Sequence, residues 1–138
     1  MSALPQTLLP RAVGYGWIGP ECAMEGTARA HLHDGRIVQC VSSEWARLAV
    51  DAESLEAPAA RELATRYDLG VKRLLALWTR AEVAAKLRGE PSLVAFREGS
   101  ATDPTLTIIT AEVDDVVVSV GWSRSRRAGS SAFLLRAR

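Results

Sequence analysis

Trp78-Thr79-Arg80-Ala81-Glu82-Val83-Ala84-Ala85-Lys86-Leu87-Arg88-Gly89 is the stretch around which the chain is organised. Leu74, Leu77, Ala81 and Ala84 recur at helical spacing with Trp78 beside them, which predicts an amphipathic helix with one packed side. Gly89 and Pro91 end it, so the helix is expected over residues 71–88. Glu82 and Lys86 stand four apart and are neighbours on one helix face. An exposed pair of this kind contributes only about 0.3–0.5 kcal/mol. Asp51 and Glu53 lie upstream, two apart in a predicted strand, and so share one of its faces. Two such carboxylates can offer oxygen ligands to a hard divalent cation. A strand end running into a solvated loop is the alternative reading of the same two residues.

The chain has 138 residues, enough for one domain with one core. Apolar residues make up 48% and charged residues 24%, an ordinary globular balance. The formal net charge is +1, so no global charge draws the protein to nucleic acid or to an anionic membrane. No apolar run approaches the roughly 20 residues of a membrane span. The first ten residues are too short and too polar for a signal peptide. Cys22 and Cys40 lack metal-ligand spacing and read as reduced thiols of a cytoplasmic protein.

Residues 1–10 hold Pro5 and Pro10 and are expected as an N-terminal arm, with residues 11–138 forming the domain. Gly14, Gly16 and Gly19 surround Tyr15 and Trp17, but neither a helix signal nor a Lys-Ser/Thr pair follows. A strand bounded by turns is expected there rather than a phosphate loop. Alternating runs flank Asp34-Gly35, a hairpin signal. His31 and His33 share a face of that hairpin without a third ligand near them and read as solvated. A strand is expected over residues 45–53, with Leu48 and Val50 on one side and Ala49 and Asp51 on the other. Pro58 opens a first helix that runs to about Tyr67, with Gly70 as its stop. After the second helix, β structure is expected at residues 93–96, 105–110, 113–122 and 132–135, with Asp114-Asp115 as a turn. The order of elements predicts an α+β fold, an antiparallel sheet packed against two main helices.

The helix string resembles the signature of the 4'-phosphopantetheinyl transferases, W-[ST]-x-K-E-A-x-x-K-x-x-G. Trp78, Thr79, Glu82, Lys86 and Gly89 match it. Ala49-Val50-Asp51-Ala52-Glu53 is the nearest counterpart of the family's strand motif, G-[IV]-D-x-E. The resemblance covers residues 40–90. Ala81 replaces the lysine that usually precedes the helix glutamate, and Ala49 replaces the strand glycine. Ser42-Ser43 stands where some members carry Ser-His, and the gap from Glu53 to Glu82 is shorter than the family's usual one. In a second alignment the acidic strand motif is deleted, and Asp51 and Glu53 are not ligands.

The resemblance implies a single-repeat member of that fold, transferring the phosphopantetheine arm of coenzyme A to a serine of an acyl or peptidyl carrier protein with Mg²⁺. By match, Asp51, Glu53 and Glu82 would hold the metal, and Glu82 could also take the serine proton. Lys86 would stabilise the leaving phosphate, and Lys86 with Arg80 would bind the coenzyme. A member of this length completes its cleft with a second copy, so a homo-oligomer, a trimer or dimer, is expected. Strands such as residues 116–120 could extend a shared sheet or bury a face between subunits. Acidic carrier proteins would meet Arg124, Arg126 and Arg127. The alternative is a non-transferase on the same fold, either a carrier-protein-binding module or an enzyme turned to another small-molecule reaction. Ala81 and the missing Ser-His point that way; Asp51, Glu53, Glu82 and Lys86 point to the transferase.

Overall fold

The computed structural model of the chain describes residues 1–25, 27–91 and 104–124. The strands expected at residues 93–96 and 132–135 lie outside the described residues, as do Arg126 and Arg127. In chain order the elements are β1 (Ser2–Ala3), β2 (Gly14–Gly19), β3 (Ala28–His31), β4 (Ile37–Ser42), β5 (Ala46–Ser54), α1 (Pro58–Tyr67), α2 (Val71–Arg88), β6 (Thr107–Val113) and β7 (Val116–Arg124). The α+β class and the two main helices are as expected. The strands, however, form two antiparallel sheets rather than one: a four-stranded sheet ordered β1-β2-β4-β3 and a three-stranded sheet ordered β5-β7-β6.

The valines of β7 explain the layering. Val116, Val118 and Val120 point toward the four-stranded sheet and join Leu8, Leu9, Val38 and Val50 in the main core. Val117, on the other face, packs with Ala57, Ala60 and Leu75 beneath the helices. A strand apolar on both faces belongs between two layers, and the molecule is built as sheet, sheet, helices. Each fully buried valine contributes about 1.5–3 kcal/mol, an upper bound set by the extended-chain reference. Of the two expectations for residues 116–120, extending a sheet shared with a second copy or burying a face between subunits, the first is corrected by the pairing of this strand. β7 is the central strand, paired along its length with β5 and β6.

The N-terminal residues also differ from expectation. Leu8 and Leu9 are buried in the main core and Leu4 joins them, while Ser2–Ala3 pairs with Ile18 and Trp17 of β2. Three leucines spaced around Pro5 supply enough apolar area to dock the segment, which is therefore part of the domain. The Asp34-Gly35 hairpin forms as read, with Gly35 at φ 93°. Arg36 beside it reaches both Asp34 and Asp115, the latter through two bonds of 3.0 and 3.1 Å. It ties the β3–β4 turn of one sheet to the β6–β7 turn of the other, and holds both carboxyls below the usual carboxylate range.

Helix α1 ends at Asp68, which takes the left-handed conformation expected of Gly70 (φ 54°), and Gly70 instead precedes α2 as its N-cap. Gly89 closes α2 at φ 70°, its N–H donating to Ala85 O at 2.8 Å. The stripe that faces the three-stranded sheet is Leu75, Thr79, Val83 and Leu87, and Leu77, expected on the packed side, is 41% exposed. Thr79 is fully buried with its hydroxyl satisfied: it donates to Leu75 O at 2.8 Å and lies 2.7 Å from Ser119 Oγ. Ser119 Oγ lies 2.7 Å from Thr110 Oγ1 in turn. Ser119→Ala removes the centre of this buried chain and is expected to destabilise the fold by about 1–2 kcal/mol. Urea unfolding measures it; an unmoved midpoint would contradict the role of the chain. Among the described residues no helix is long and apolar enough to cross a membrane.

Candidate functional site

Strand alternation places Arg47, Ala49, Asp51 and Glu53 on the face of β5 that looks at α2. Ala49 packs with Val83 and Leu87, which fixes the height of the helix over the strand. The side chains flanking Val83 and Leu87 on α2 then overhang β5. Lys86 Nζ donates to Val50 O at 2.8 Å and stands 4.0 Å from Asp51 Oδ1. Lys86 therefore pairs across the β5–α2 seam with Asp51, and not, among the described residues, with Glu82 one helical turn away.

Asp51 is nearly enclosed, its side chain 14% exposed against 42% for Lys86. Its Oδ2 atom is buried without a hydrogen-bond partner. Burial pushes the Asp51 carboxyl up to about 7, against the pull of the Lys86 ammonium, and the negative charges of Glu82 and Glu53 add to the rise. Burial raises Glu53 as well, Glu82 adding to the effect and His33 opposing it. The structure thus brings Asp51, Glu53, Glu82 and Lys86 together, and adds His33, read from sequence as a solvated hairpin residue, within electrostatic reach of Glu53.

Arg80 is not part of this group. It lies about 200° around the helix from Glu82, and its Nη1 donates to Ile108 O at 3.1 Å and Thr110 Oγ1 at 3.0 Å on the β6 side. Ser43 is structural, its hydroxyl donating to Ala12 O and Val13 O. Both cysteines are free; Cys22 is exposed and Cys40 is buried, its thiol pushed up to about 12 by desolvation and so held as an unreactive thiol.

The carboxylates are hard oxygen donors of the type that suits Mg²⁺. As placed, they do not make a cation site from protein groups alone. Among the described residues no three Asp, Glu, His or Cys side chains converge in a group that could hold a metal ion. The positive charge beside Asp51 is the Lys86 ammonium itself.

Comparison of the chain with protein-family models, with characterised proteins and with solved structures gives no match in any of the three. The functional reading therefore rests on the seam's own chemistry.

Proposed function

We propose that the β5–α2 seam is a metal-free acid–base site, with Asp51 as the group that takes up and releases a proton and Lys86 as its counter-charge. The observation that carries this is the placement of Asp51: a nearly enclosed carboxyl with one unpartnered oxygen, an ammonium 4.0 Å away and two further carboxylates nearby. A carboxyl shifted toward neutrality serves equally as acid and as base at physiological pH. When protonated, it donates a hydrogen bond from a site that excludes most water. When ionised, it is stabilised by Lys86 and accepts a proton. Burial, with Glu82 and Glu53 adding to it, offsets the pull of Lys86 and disfavours a further negative charge at Asp51. The chain in this reading acts on a small polar molecule reached from the exposed side of Lys86, the non-transferase alternative of the sequence analysis.

One observation favours the transferase reading. Lys86 of α2 stands 4.0 Å from Asp51 of β5, and Glu53 and Glu82 lie within electrostatic reach of Asp51, which supports a shared role for the four positions selected by the motif resemblance. That reading brings with it coenzyme A, Mg²⁺, a carrier protein and a second copy of the chain, and it requires Lys86 to leave Asp51. Calorimetric titration with Mg²⁺, alone and with coenzyme A, separates the two readings. Under the metal-free proposal, wild type and Glu82→Gln show the same absence of saturable Mg²⁺ binding. Saturable binding that Glu82→Gln abolishes, or gain of one phosphopantetheine by an apo carrier protein in mass spectrometry, overturns it.

A further inference from the structure

We propose that a cavity at the C-terminal end of α2 binds a small organic anion with an apolar body. The cavity has a volume of about 600 Å³ and is lined by Arg47, Arg88 and Arg124, with Leu87, Leu106 and Ser123. That volume falls among those of small-molecule sites, about 300–1,000 Å³. Three separate elements supply the charges. Arg47 comes from β5, facing Ser123 of β7 across the register, Arg88 from the last turn of α2, and Arg124 from the end of β7.

Among the described residues, carboxylates pair with one of the three guanidinium groups and not with the other two. Arg88 pairs with Glu90 at 3.0 Å. Among the described residues, neither Arg47 nor Arg124 has a carboxylate within ion-pair distance. Arg47 donates to Lys86 O at 3.4 Å, a contact that the carbonyl end of a helix accounts for. The helix does not account for Arg124, which arrives from the sheet. Guanidinium groups brought to one cavity repel one another unless an anion intervenes, and their planar forks match phosphate and carboxylate oxygens. Leu87 and Leu106 give the same cavity an apolar wall. An anion with an apolar or aromatic portion uses both features; a bare inorganic ion uses one. This inference is independent of the acid–base reading of the seam.

Phenyl phosphate is the probe, with inorganic phosphate and vesicles of phosphatidylglycerol in phosphatidylcholine as the comparison arms, all titrated into the full chain. Phenyl phosphate is expected to bind saturably and more tightly than inorganic phosphate. Arg47→Gln and Arg124→Gln are each expected to weaken it about tenfold, the loss of one charge-assisted hydrogen bond. Arg61→Gln on α1 is the control and leaves binding unchanged. Arg47 and Arg124 are exposed, so their replacement leaves the thermal midpoint near that of wild type. The proposal is overturned by absence of saturable binding at millimolar phenyl phosphate, by affinity that neither variant lowers, or by binding to the vesicles alone.

Discussion

Asp51→Asn is expected to stabilise the chain at pH 8 and to leave it almost unchanged at pH 4. An unfolded aspartate titrates near 3.8, whereas the folded Asp51 titrates at about 7. Between these values the folded state holds a proton that the unfolded state has released. Stability therefore falls as the pH rises from about 4 to about 7 and is flat beyond, since the slope follows the difference in protons bound. The full shift corresponds to a penalty on the order of 4 kcal/mol for keeping Asp51 ionised. Solvent reaching the seam on the exposed side of Lys86 screens part of this, and a gain of about 2 kcal/mol at pH 8 is the expected result for the neutral isostere. Chemical unfolding at pH 5 and pH 8 provides the measurement. Wild type should lose stability between the two and Asp51→Asn should lose much less. A wild-type protein equally stable at both, together with a destabilised variant at pH 8, would contradict the reading. The variant would also lack the proton-exchanging group, a gain in stability at the expense of function that strained or charged sites commonly show.

Gly121→Ala should destabilise the chain by about 2–3 kcal/mol through overpacking. Gly121 sits on β7 between Ala49 of β5 and Ile108 of β6. A Cβ added there would overlap Val83 Cγ1 of α2, and would stand 3.2 Å from both Ile108 Cγ1 and Leu87 Cδ1. The helix must lift away from the sheet, and Glu82 and Lys86, which flank Val83 and Leu87, must move with it. The destabilisation is accordingly expected to be shared with Val83. Val83→Ala alone leaves a void; combined with Gly121→Ala it makes room for the new methyl, so the double variant is more stable than the sum of the singles predicts. Additive losses in a double-mutant cycle would show that the two positions do not set the helix height.

The second helix was legible because Gly89 ends a pattern of helical spacing, and the acidic strand because Leu48 and Val50 alternate with Ala49 and Asp51. The pairing of Asp51 with Lys86 was not legible: the resemblance gives Asp51 to a metal and Lys86 to a leaving phosphate, and only the packing of α2 on β5 sets them 4.0 Å apart. Other features depend on which neighbours arrive from afar. The burial of Thr79 depends on Ser119, 40 residues away, being brought opposite it to share its hydroxyl bond. Residues 1–10 read as an arm because Pro5 and Pro10 interrupt a short segment, and only the assembled core shows that Leu8 and Leu9 fill it. The run at residues 116–120 reads equally as an edge or a centre, since a continuous apolar strand does not reveal how many partners it has. Arg47 carried no signal at all: its cavity forms from three elements separated in sequence.

The central claim is that Asp51 exchanges its proton near neutral pH under the influence of Lys86 and Glu82. Titration of the Asp51 carboxyl carbon by NMR measures that directly. The midpoint should fall at about 7 in wild type. It should rise in Lys86→Met, where the stabilising ammonium is gone, and fall in Glu82→Gln, where a repelling charge is removed. A midpoint near 4, unmoved by either substitution, would return Asp51 to the ordinary carboxylates and contradict the acid–base site.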